Sequence, residues 1–169
     1  MWVPFETLQA SSRIWIYQAN RALTPAEAED LAATLTGFCN DWQTHGQPMR
    51  ASFKIEDSYF VILAVDEDFQ LPSGCSIDGS VRVLKNWQSQ NQIDFFNRTL
   101  VPFVRSGQIE LLPMSDLRKA AAEGIITPQT LTFNLLAPSK GHWEAEWKKP
   151  AADTWLSKYF AKTPVAGTP

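Results

Sequence analysis

The sequence predicts an α+β fold with a mainly antiparallel sheet, built on a ferredoxin-like split βαβ core. Three observations carry this expectation. Arg13 to Gln18 is dense in β-branched and aromatic residues and reads as a strand. Thr24-Pro25-Ala26-Glu27 combines a capping box with proline at the first helical position, a strong helix start. Two strand-like runs then precede a second amphipathic segment and a further strand. The resulting order, β-α-β-β-α-β, is the split βαβ pattern. A β-α-β extension is expected to lengthen the sheet or cover one face.

Taken in order, the first helix shows one apolar face at Leu31, Leu35, Phe38, Cys39 and Trp42. Its stop is expected near His45-Gly46, with Pro48 beyond. Residues 50 to 56 alternate, Asp57-Ser58 is a turn, and residues 59 to 66 form a more apolar strand buried on both faces. Ile77, Val81, Leu84 and Trp87 mark the second helix. Residues 99 to 104 and 108 to 112 read as strands joined by Arg105-Ser106-Gly107, with Pro102 at an edge or bulge. Ser115 is expected to cap a short helix closed by Gly124. Residues 131 to 136 read as a strand. So do residues 142 to 147, where Trp143, Ala145 and Trp147 alternate with His142, Glu144 and Glu146. Pro150 ends that run, and Trp155, Tyr159 and Phe160 suggest a docked turn. A single domain over residues 1–160 is expected, followed by a flexible tail over 161–169.

The composition is globular: 44% hydrophobic, 20% charged and 12% aromatic over 169 residues. Seven tryptophans and ten phenylalanines read chiefly as a well-filled core. Net charge is −3, and the basic pairs Arg118-Lys119 and Lys148-Lys149 are isolated. That pattern argues against nucleic acid as a partner. The longest apolar run, residues 59 to 65, is far short of a membrane span. The first residues have neither the basic stretch nor the apolar stretch of a signal peptide. A cytoplasmic location with both cysteines reduced is expected.

The one loop with chemical promise is Pro72-Ser73-Gly74-Cys75-Ser76-Ile77-Asp78-Gly79-Ser80. It places a thiol, hydroxyls and a carboxylate at a helix N-terminus, where unpaired N–H groups and the helix dipole favour negative charge. A cysteine so placed can become a reactive thiolate. Its catalytic use needs a base, and chain direction puts the His45-Gly46 turn at the same sheet edge. The enzyme reading therefore uses Cys75 as nucleophile, His45 as base and Asp78 or Ser76 as orienting group. A second reading has Gly74, Cys75, Ser76 and Asp78 bind a small ligand or anion. The plainest is a tight turn and cap, with Gly74 at positive φ. The Gly74–Gly79 spacing matches a phosphate-binding loop, but Ser80 stands where its lysine belongs and Val81 at its hydroxyl position. ATP hydrolysis is not expected. No metal-ligand spacing occurs; no metal and no cofactor are expected.

Five segments together carry a family resemblance: Met1-Trp2-Val3-Pro4-Phe5-Glu6, Arg13-Ile14-Trp15-Ile16-Tyr17-Gln18, Ala64-Val65-Asp66-Glu67, Ser73-Gly74-Cys75-Ser76-Ile77-Asp78, and the spaced Trp147, Pro150 and Trp155. The chain resembles, over residues 1–160, an uncharacterised family of small bacterial proteins often labelled automatically as ABC transporter ATPases. The resemblance implies a bacterial protein but no activity, and the label conflicts with the incomplete phosphate loop. The function expected is that of a non-catalytic ligand-binding or protein-interaction domain, its partner an unknown small molecule or protein. The alternatives are a Cys75-dependent enzyme and small-anion binding at Gly74–Asp78.

Overall fold

The computed structural model describes residues 1–160, and the tail expected over 161–169 lies outside them. The strands are β1 (Arg13–Gln18), β2 (Gln43–Thr44), β3 (Gln47–Pro48), β4 (Ala51–Glu56), β5 (Phe60–Val65), β6 (Leu100–Arg105), β7 (Gln108–Pro113), β8 (Leu131–Phe133) and β9 (Lys148–Pro150). The α-helices are α1 (Pro25–Asp41), α2 (Gly74–Asn91), α3 (Leu117–Ala122) and α4 (Lys140–Glu146). The fold is mixed α+β with antiparallel sheets. No linker is evident in the sequence, yet the chain divides into two compact units. One is Met1–Asn97 with Asn134–Trp147, the other Arg98–Phe133 with Lys148–Pro169.

In the first unit, β5 is the middle strand of the order β1-β5-β4. Both neighbours are antiparallel to it, in register from Arg13 and Ala51 opposite Val65 to Gln18 and Glu56 opposite Phe60. So β1 and β4 run parallel with β5 between them, the split βαβ arrangement. Every residue of β5 is buried. On one face Val61 and Leu63 pack with Leu31 and Leu35 of α1 and Leu84 and Trp87 of α2. On the other, Phe60 meets Trp147 edge-on at 4.8 Å, and Trp143 of α4 meets Phe5 at 5.7 Å. The second sheet, in the order β7-β6-β8-β9, belongs to the second unit. Its core gathers Val101, Phe103, Leu117, Ile126, Ala151 and Leu156.

The complete ferredoxin-like order is not reached, because the expected fourth strand, β6, lies in the second sheet. In the first unit the start of β1 instead pairs with the 138–139 segment: Ile14 N–H donates to the Pro138 carbonyl at 3.4 Å. Helix α1 begins at the expected box, where Glu27 N–H donates to Thr24 Oγ1 and Thr24 N–H to the Glu27 carboxylate. It ends four residues before His45. Trp42 is extended, and His45-Gly46 is the positive-φ turn of a small hairpin between β2 and β3. The last-turn carbonyls of Cys39 and Asn40 accept from the Met1 ammonium at 2.9 and 3.0 Å, with Met49 O a third acceptor at 2.9 Å.

The second unit departs from expectation at Pro102, which is not on an edge: β6 is flanked by β7 and β8 without a bulge. Only Phe103 and Val104 pair with β8, and the Pro102 carbonyl accepts from the Thr132 hydroxyl at 2.7 Å. Ser115 does not cap α3; its hydroxyl donates to Asp116, and α3 has no side-chain cap. Gly124 closes that helix at φ 70°, as expected. In the first unit, the strand expected over 142–147 is helix α4. Trp143 and Trp147 are four apart, so they share a helix face as readily as a strand face, and Ser139 Oγ accepts from His142 N–H at the helix start.

Candidate functional site

Helix α2 begins earlier than its apolar spacing indicates. Ser73 is its N-cap: Ser76 N–H donates to Ser73 Oγ at 3.2 Å, and Ser73 N–H donates back to Ser76 Oγ at 2.8 Å. This is a capping box with serine in the place usually held by glutamate. Gly74 to Gly79 are therefore helical residues, and Gly74 does not take the positive φ expected of it. A phosphate loop needs several free N–H groups curling round an anion. Here Ser76 N–H is taken by Ser73 Oγ, and Ile77 N–H by the Ser73 carbonyl at 3.0 Å.

Cys75 sits in the first turn with an exposed thiol. Ser76 is buried; its hydroxyl donates to the Ser73 carbonyl at 2.7 Å, and its carbonyl accepts from the Trp42 indole N–H at 2.8 Å. That last bond brings the exit of α1 against the first turn of α2. His45 follows Trp42 by three residues, exposed at a turn with φ 49°. Asp78 is exposed on the second turn of α2. No hydrogen bond or ion pair joins Cys75, His45 and Asp78 among the described residues.

The segment before α2 is built from its base outward. Asp66 is buried and pairs with Arg50 at 3.6 Å. Its Oδ1 accepts from Asp68 N–H, and its carbonyl from Phe69 and Gln70 N–H at 3.2 and 3.1 Å. Glu67 pairs with Arg13 at 3.3 Å. On this fixed base Phe69 and Leu71 are 53% and 66% exposed. The sequence reading passed over these two. Their signal was two large apolar residues inside a short segment bounded by acids and Pro72.

Cys39 behaves differently from Cys75. It is buried, and desolvation pushes its thiol up to about 12, against a smaller lowering by the Met1 ammonium. Burial likewise raises Tyr17, partly offset by the Ser80 hydroxyl. His142, Glu144 and Glu146 do not share a strand face, since they lie on α4. His142 Nδ1 is 2.8 Å from Ser139 Oγ, and Glu144 pairs with Lys140 at 3.4 Å. Among the described residues, no cluster of three or more His, Cys, Asp or Glu could hold a metal.

No protein-family model, curated protein or solved structure matches this chain.

Proposed function

We propose that this chain is a non-catalytic binding domain of the cytoplasm, within the family of small bacterial proteins it resembles. Its contact surface is the loop tip before α2, and its partner is a protein. The observation that supports this most is the exposure of Phe69 and Leu71 on a loop whose base is held by the buried Asp66. Recognition residues commonly sit on loops positioned by a rigid scaffold, and adjoining exposed apolar side chains mark interaction surfaces.

Alkylation by iodoacetamide separates this reading from a Cys75-dependent enzyme. Cys75 should react in the folded chain no faster than in the urea-unfolded chain, and Cys39 should react only after unfolding. A folded-state rate for Cys75 more than about tenfold above the unfolded rate would sink the binding reading, because only an activated thiolate gains reactivity on folding. The paired substitution Phe69→Ser with Leu71→Ser should leave stability within about 0.5 kcal/mol of the parent. It should also abolish the adduct formed in cells by a photo-crosslinking residue at Gln70; an adduct that survives the pair would place the contact elsewhere.

A further inference from the structure

We propose that the second unit is a docking surface for single-stranded nucleic acid. The whole-chain charge of −3 argues against such a partner, but that total conceals a segregation by unit. Met1–Asn97 with Asn134–Trp147 carries seven lysines and arginines against fourteen carboxylates. The described part of the other unit, Arg98–Phe133 with residues 148–160, carries seven against four. A charge asymmetry of this kind between parts of one chain is the footprint of a polyanionic partner.

The local pairing leaves cations available. Glu110 is taken by Arg105, and Glu123 by Lys119 at 3.9 Å. Asp116 and Asp153 are the remaining acids. Arg98, Arg118 and Lys158 have no carboxylate within ion-pair distance among the described residues. Charge alone would suit an acidic protein as well. The aromatic side chains favour nucleic acid: Trp155 is 49% exposed, and the Lys158 ammonium lies 5.3 Å from its ring and 5.3 Å from the Tyr159 ring. An exposed indole beside a cation gives a base a face to stack on and its phosphate a counter-charge, with no need to read base edges.

The test uses the full chain and a fluorescein-labelled oligothymidylate of about twenty residues, followed by anisotropy. Binding should weaken about 30-fold between 50 and 200 mM salt, the fall expected for three or four phosphate contacts to a single strand. Trp155→Ala should weaken it about tenfold at fixed salt. Arg98→Gln with Arg118→Gln should flatten the salt dependence, whereas Arg82→Gln, which removes a cation from the first unit, should leave binding unchanged. Three results would overturn the proposal: no binding at 50 mM salt, a Trp155→Ala chain that binds like the parent, or displacement of the strand by polyglutamate or phosphatidylglycerol vesicles at equal charge. The last would assign the surface to an acidic protein or a membrane instead.

Discussion

Strand β5 of the first sheet has six buried residues of six, while β6, the corresponding inner strand of the second sheet, has three and its neighbour β7 has none. The contrast follows from cover. Two helices close one face of β5, and aromatic residues from α4 and the Phe5 turn close the other. A strand enclosed on both faces reads as an unbroken apolar run, as Phe60 to Val65 does. The helices differ in the same sense. Both long helices of the first unit start with reciprocal capping boxes, whereas α3 of the second starts without a side-chain cap.

Matched substitutions test this contrast, and the largest effect belongs to the sheets. Leu63→Ala opens a void in the middle of β5 and should cost about 3 kcal/mol in urea unfolding. Leu111→Ala on the half-buried β7 should cost about 1 kcal/mol. Equal costs would mean that the two sheets are equally enclosed.

The next effect separates two indoles. The Trp42 N–H is buried and bonded to the Ser76 carbonyl, so Trp42→Phe removes that bond between the exit of α1 and α2 and should cost about 1.5 kcal/mol. The exposed Trp155 makes no such bond, and Trp155→Phe should stay within about 0.5 kcal/mol of the parent. Smaller again is the difference between caps: Ser73→Ala should cost about 1 kcal/mol, and Ser115→Ala less than half of that. Differential scanning calorimetry at one pH reads all four. A Ser115→Ala loss matching that of Ser73→Ala would show that the hydroxyl without a capping bond matters as much as the one with it.

The same contrast explains what was legible in the sequence. Arg13 to Gln18, the Thr24 box and the buried run of β5 state their structure locally, because period, cap and burial agree. The split βαβ order of β1, β4 and β5 followed from them. The fate of β6 did not: nothing in residues 99 to 104 says which sheet they join, since pairing is settled by contacts distant in sequence. Trp143 and Trp147 fit two periods at once, and the deciding signal was Ser139 as a cap. At the candidate site, glycine spacing drew attention to Gly74–Gly79, while the true marker was Ser73 facing Ser76, an unusual box. The end of α1 at Trp42 was hidden because no glycine or lysine caps it; the Met1 ammonium, distant in sequence, does.

The smallest effect is a pH dependence at the start of α1. The Glu27 carboxylate accepts two N–H groups of Arg21, at 2.9 and 2.8 Å, and the Thr24 N–H at 2.9 Å. The Arg21 bonds, and after them the Thr24 N–H, hold its carboxyl down at about 2, from an ordinary value of 4.5. A carboxyl with a lowered pKa in the folded chain stabilises it fully above the unfolded value. That contribution is lost as pH falls from about 4.5 towards 2. Glu27→Gln should therefore be less stable than the parent at pH 7, with the gap closing across that window and gone near its lower end. The Arg105–Glu110 pair of the second unit is the comparison: its carboxylate is 44% exposed against 18% for Glu27. Glu110→Gln should change stability at pH 7 by less than about 0.5 kcal/mol. Thermal melts of the three chains from pH 2 to 7 decide the matter. A Glu27→Gln chain whose deficit persists unchanged at the lowest pH would mean that the side chain stabilises α1 through shape and neutral hydrogen bonds, and not through its charge.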